Sequence, residues 1–190
     1  MTHLFETVDA IIIAQEQSGE ADKTLWMLSA EHGLIAARAR GLRHLKSKLR
    51  YALQEFSRAK VSLVRGREIW RVATATPQVS YSSATLAARE AMSRLASLLR
   101  RMVGEEADAK LFADMLESFN ALAAASSLKE AAVIERLATF RLLHRLGYVQ
   151  AKGALGELLS NNFDDALILS NPLADPILAT INGAIAESQL

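Results

Sequence analysis

Five short stretches of strand-forming sequence follow one another between Val8 and Thr76, and each ends in a polar or glycine-bearing turn. Val8 to Gln15 is apolar and rich in β-branched residues, and Ser18-Gly19-Glu20-Ala21-Asp22 is a turn. Thr24 to Ser29 is a second strand, joined through Glu31-His32-Gly33 to a third, Leu34 to Arg40, which stops at Gly41. Phe56 to Val64 is the fourth, Arg65-Gly66 a hairpin turn, and Arg67 to Thr76 the fifth, closed by Pro77. Strands this short and this closely spaced predict a small antiparallel barrel or sandwich.

From Ser80 the apolar period changes from two to about 3.6. Met92, Leu95, Leu99 and Met102 recur at helical spacing, as do Leu111 to Leu122 and Val133, Leu137, Phe140 and Leu143. Glu105-Glu106 and Asp108 read as the acidic first turn of a helix. Ser127-Leu128-Lys129-Glu130 has the spacing of a capping box, Gly147 sits where an αL cap ends a helix, and Asp175-Pro176 reads as N-cap and N1. Residues 151–174 are less regular. The expected class is α+β, with a β-domain over residues 1–77 and an all-helical domain over 78–190.

Apolar residues make up 51% of the chain, enough for a packed core, and no apolar run approaches the ~20 residues that span a bilayer. No secretion-signal layout stands at the N-terminus, so a cytoplasmic protein is expected. The absence of cysteine excludes disulfides, thiolate zinc sites and cysteine nucleophiles.

Net charge is only +1, but Arg38 through Arg71 holds 11 basic and 2 acidic residues, half of all Lys and Arg. Strand alternation predicts where they point. Ile35, Ala37 and Ala39 share one face of the third strand, and Arg38 and Arg40 the other. Val61 and Leu63 oppose Arg58 and Lys60 in the fourth; Trp70 and Val72 oppose Arg67 and Arg71 in the fifth. The stretch GLRHLKSKLR at residues 41–50 adds Arg43, Lys46, Lys48 and Arg50, with His44 charged only below about pH 6.5. A solvated face usually mixes both signs. A membrane-surface helix needs a bulky apolar face that this stretch lacks. A phosphate backbone fits a single-sign surface, because each Lys or Arg at a phosphate releases counterions. Tyr51, Phe56 and Trp70 lie near the patch in sequence, with Phe56 and Trp70 expected in the core.

No Gly-rich phosphate loop occurs. His3, His32, His44 and His144 lack metal-ligand spacing, and Asn161 to Asp165 lacks the ligand order of a calcium loop, reading instead as a turn and helix cap. No nucleophile–base pair presents itself. A binding protein without cofactor is expected, not an enzyme.

Several blocks resemble the RecO family of bacterial recombination mediators. They are Ile11-Ile12-Ile13, Ser18 to Lys23, Leu25, Leu28, Gly33-Leu34-Ile35, Ala39 to Arg43, Lys46-Ser47 and Leu53 to Phe56. A second set is Glu135-Arg136-Leu137, Arg141-Leu142-Leu143 and Leu146-Gly147-Tyr148. The resemblance implies an N-terminal five-stranded OB-fold barrel and a helical C-terminal domain. It implies binding of single- and double-stranded DNA, annealing of complementary strands, and work with RecR and single-strand binding protein to load RecA at the nucleoid. It points to Arg38, Arg40, Arg43, Lys46 and Lys48 as DNA contacts; the alternation above adds Arg58, Lys60, Arg67 and Arg71, and the basic stretch adds Arg50. Many RecO-like chains carry a four-cysteine zinc module after the Leu-Gly-Tyr block. Here Val149 to Leu169 holds no cysteine, so no zinc is expected, and Arg141, Arg145 and Lys152 are the only late basic residues. The alternative is a protein-interaction adaptor whose basic barrel meets an acidic protein partner.

Overall fold

The computed structural model describes residues 5–44, 47, 49–66 and 69–187. Two compact units emerge: Met1–Ser83 with Val103–Phe112, and Ala84–Met102 with Ala113–Leu190. In the first, β1 (Phe5–Ser18), β2 (Asp22–Ser29), β3 (Gly33–Ala39), β4 (Ser57–Arg65) and β5 (Trp70–Ser80) close into a barrel of order β1-β2-β3-β5-β4. Four pairings are antiparallel; β3 and β5 run parallel. This five-stranded barrel is an OB-fold, and with the helices that follow, the α+β class read from the sequence holds.

β1 is longer than its apolar stretch because its two halves serve different neighbours. Residues Phe5 to Ile12 pair with β4, and Ala10 to Ser18 pair with β2. A bulge at Ile13 turns Gln15 onto the same side as its partner Leu25. Inside lie Val8, Ala10, Ile12, Leu25, Met27, Ile35, Val61, Leu63 and Trp70. Each fully buried aliphatic side chain here contributes about 1.5–3 kcal/mol. One end of the barrel is closed by α1 (Leu49–Ala52), whose Leu49 and Ala52 pack with Leu42 and Leu53 against that core.

Several sequence expectations shift. β5 begins at Trp70 and passes through Pro77 to Ser80. Pro77 sits at a register irregularity opposite Ala59, on a stretch of β5 beyond its pairing with β3. A bulge of this kind is where a strand accommodates proline. Phe56 is a turn residue with φ +56°, pinned because its N–H donates to the Ile12 carbonyl and its carbonyl accepts from Tyr81 N–H. Glu105 and Glu106 precede a helix rather than opening it. Asp108 caps that helix by accepting from Leu111 N–H at 2.8 Å, while the preceding loop lies against the barrel. Leu34 N–H donates to the Gly104 carbonyl at 2.9 Å. Gly33, at φ +63°, has no room for a Cβ, which would stand 2.2 Å from the Glu106 carbonyl oxygen.

The second unit is built from α2 (Leu86–Met102), most of α3 (Ala109–Ala124), α4 (Leu128–Arg145), α5 (Ala154–Ser160), α6 (Phe163–Ser170) and α7 (Ala174–Glu187). α5 and α6 fill the stretch that lacked a clear period. α4 is central: α2, α6 and α7 pack on it, and it buries residues on several sides. Ser127 caps it, accepting from Glu130 N–H; the Glu130 carboxylate reaches back to Ser126 N–H, one residue before the cap. At its C-terminus Gly147 N–H bonds to His144 and Tyr148 N–H to Leu143, a Schellman motif with Gly147 at φ +83°. Asn162 caps α6 by accepting from Asp165 N–H. Asp175 is not an N-cap: α7 already runs from Ala174, and Pro176 stands in its first turn, where an N–H has no helical partner to lose.

Arg141 is not a surface cation. It is buried, donating from Nε to the Leu158 carbonyl at 2.9 Å and from Nη2 to the Asn161 carbonyl at 2.7 Å, with its guanidinium 5.3 Å from the Phe163 ring. Burial pushes its pKa below the ordinary guanidinium value. It ties the α5–α6 connection to α4.

Candidate nucleic-acid interface

Alternation along β3 works as the sequence predicts. Ala37 and Ala39 are fully buried, whereas Arg38 and Arg40 are exposed. Register then adds what alternation alone does not contain. Arg38 stands beside Arg71 across the parallel β3–β5 pair. Arg71 stands opposite Val64 in β4, and Val64 opposite Phe5 in β1. On the other side Arg38 faces Thr24 of β2. One cross-strand row, Thr24–Arg38–Arg71–Val64–Phe5, therefore crosses all five strands on the outer surface. Arg40, two residues past Arg38, joins it. Phe5, Arg38, Arg40, Val64, Arg71 and Val72 line a shallow groove of about 250 Å³. Lys60 is exposed further along β4, opposite Thr76.

Arg58 has a different setting. It also faces outward, but its guanidinium is paired with Asp9: Nε donates to Oδ1 at 2.9 Å, and Nη2 to Oδ2. The hydrogen bond that Arg58 donates to Asp9 raises the Arg58 pKa above its ordinary value, against a lowering from partial burial. Tyr81 lies near the pair, and burial raises its hydroxyl pKa. The Arg58 charge is thus balanced locally. Arg38, Arg40, Lys60 and Arg71 make no ion pair with any described residue.

A second cleft of about 410 Å³ is lined by Lys23, Arg43 and Arg50, with Gln15, Gln54 and Glu55 beside them. Asp22 Oδ1 accepts from Gly41 N–H at 3.0 Å, and Arg43 N–H bonds to the Ala21 carbonyl. Arg43 Nη1 also donates to the Glu20 carbonyl at 2.7 Å. These contacts fold the start of the basic stretch back over the β1–β2 turn. Lys23 Nζ donates to Gln15 Oε1 at 2.6 Å, and Gln15 Nε2 to the Leu53 carbonyl. Arg50 is exposed on α1. Lys46, Lys48 and Arg67 lie outside the described residues.

Of the three aromatics near the patch, Trp70 is buried in the core, with the Arg65 guanidinium 4.7 Å from its ring and the His32 ring 5.2 Å away, tilted by 43°. Phe56 is half-buried, and Tyr51 is exposed on α1. Sequence reasoning missed Phe5, Lys23 and Arg65. Phe5 stands in a polar-looking run, Phe5-Glu6-Thr7, with no apolar alternation to mark it as strand. Lys23 falls between the turn that ends at Asp22 and the strand expected from Thr24, although β2 includes it, and Arg65, read as part of a hairpin turn, ends β4. Among the described residues no group of three or more His, Cys, Asp or Glu side chains is placed to hold a metal ion, and no helix is long and apolar enough to cross a membrane.

Residues 1–81, the barrel just described, match the family described as Recombination protein O N terminal. The DNA repair protein RecO of Heliobacterium modesticaldum is 29% identical over 141 residues, covering 73% of this chain and 50% of that protein. The DNA repair protein RecO of Pelotomaculum thermopropionicum is 44% identical over 61 residues, 32% of this chain and 24% of that protein. That of Bifidobacterium longum subsp. infantis is 29% identical over 101 residues, covering 52% of this chain and 42% of that protein. The chain spans half or less of the length of these relatives. A matched OB-fold barrel, joined to a helical unit and aligned with three such relatives, leads to one conclusion: the chain is similar to RecO proteins, and over residues 1–81 it matches the RecO N-terminal family.

Proposed function

We propose that this chain is a DNA repair and recombination mediator whose barrel binds single- and double-stranded DNA through its phosphate backbone. The observation that carries this reading is the outward row of Arg38 and Arg71, with Arg40 beside it, Lys60 further along β4, and none of the four in an ion pair with a described acid. Cations held on adjacent strands are spaced at about 4.8 Å steps across the sheet and need little reorganisation to meet a polyanion. Such a surface gains affinity by counterion release and reads no sequence. Arg43 and Arg50 extend it around the second cleft, and Lys46, Lys48 and Arg67 belong to the same proposed contact. Arg58 contributes less, because Asp9 already neutralises it.

The mediator role extends this to annealing of complementary strands and to RecA loading with RecR and single-strand binding protein, as the similarity to RecO proteins suggests. The chemistry required is binding and alignment, without bond making. The test is fluorescence anisotropy of labelled oligonucleotides across a salt series, beside an annealing assay with and without single-strand binding protein on the strands. Steep weakening with salt and little dependence on sequence are expected. A flat salt curve overturns the reading. Binding with no annealing restricts the function to the contact itself.

A further inference from the structure

We propose that Phe5 is a base-stacking platform at the end of the arginine row, so that the barrel prefers single strands bearing unpaired bases over backbone alone or duplex. This rests on the nucleic-acid reading above and deepens it. Phe5 is 66% exposed although it sits in a paired strand, opposite Val64. Its exposed side chain borders the groove that Arg38, Arg40 and Arg71 also line, with Val64 and Val72 as the apolar part of its wall. Neighbouring strands lie about 4.8 Å apart, which puts Arg71 about 10 Å and Arg38 about 14 Å from Phe5 across the row.

The arrangement joins two kinds of recognition in one groove. Arg38, Arg40 and Arg71 suit phosphates, and an exposed aromatic face suits the π-face that every base presents once it leaves a stack. A duplex keeps its bases stacked and offers Phe5 none. An abasic strand has the phosphates but no base. The strand chemistry that satisfies both halves of the groove is therefore single-stranded nucleic acid with its bases free.

The experiment measures anisotropy of three labelled probes at low salt: an oligothymidine, an abasic oligomer with the same number of phosphates, and a duplex of the same length. The proteins are the full chain and its Phe5→Ala, Phe5→Leu and Phe5→Tyr variants. Phe5→Ala should weaken oligothymidine binding about tenfold, leave abasic and duplex binding within about twofold, and leave the salt slope unchanged. Phe5→Leu, which keeps apolar bulk without a ring, should behave like Phe5→Ala, and Phe5→Tyr like the parent. Equal loss on all three probes, or no loss on oligothymidine, overturns the proposal. If the parent chain binds all three probes equally and with steep salt dependence, the stacking inference falls while the nucleic-acid reading stands. If it binds none of them, both fall.

Discussion

Replacing Arg38 and Arg71 together by alanine probes the row where two strands present their charges side by side. Both side chains point away from the core and neither is ion-paired to a described residue, so the variant should fold as the parent does. Each phosphate neutralised on a single strand contributes about −0.7 to the slope of log K against log salt, so four outward strand cations contribute about −2.8. Raising salt from about 50 to about 200 mM then weakens that share of binding roughly 50-fold. The double variant should lose about 1.4 of the slope, so its deficit relative to the parent shrinks about sevenfold over the same range. The assay is anisotropy on a single-stranded probe at several salt concentrations. An Arg58→Gln variant is the control, because Asp9 already balances that charge and the slope should barely move. If the Arg38/Arg71 double variant keeps the parent slope, or Arg58→Gln loses as much, the row is not the phosphate contact.

Asp9→Asn leaves Arg58 without its carboxylate on the outer face; single-strand binding should steepen by about 0.7 in slope, with a cost of about 1 kcal/mol in urea unfolding. Gly33→Ala forces a left-handed φ on a side-chain-bearing residue and drives its Cβ into the Glu106 and Gly104 carbonyls. It should cost about 3 kcal/mol by urea unfolding, and a loss under about 0.5 kcal/mol would show that the Val103–Asp108 loop does not hold to β3 as described. Arg141→Met removes the donor that satisfies the Leu158 and Asn161 carbonyls inside the helical unit, and should destabilise by about 3 kcal/mol while leaving the affinity of the folded protein for DNA unchanged. An affinity change without a stability change would give Arg141 a different role.

Local rules reached some of this surface and stopped at identifiable places. Period-two alternation put Arg38 and Arg40 outside correctly, because the small apolar Ala37 and Ala39 between them have one side to go to. The α4 caps were legible for the same reason: Ser127 and Gly147 act on backbone groups within a few residues of themselves. What alternation lacks is register between strands distant in sequence. Arg38 and Arg71 become neighbours only through the parallel β3–β5 closure, and Arg58 is neutralised by an acid 49 residues earlier. In a β-structure the side of a charge is set locally, but whether it remains available is set by the cross-strand neighbour. The same distinction explains Phe5. Its segment becomes a strand because β4 supplies the hydrogen-bonding edge, and β1 must reach that far for the barrel to close. Closure therefore does two things at once: it sets a row of cations on adjacent strands, and it draws an aromatic from a polar stretch to the end of that row. Since both follow from one register, an insertion of one residue in β4 between Lys60 and Val64 should separate them. Such a slip would turn Val64 inward and Leu63 outward, cost a buried Leu, and break the Phe5–Val64–Arg71 alignment while the number of charges stays the same. Loss of preference for oligothymidine over the abasic probe in that variant, with binding to the abasic probe retained, would place the discrimination in the register and not in the charge count.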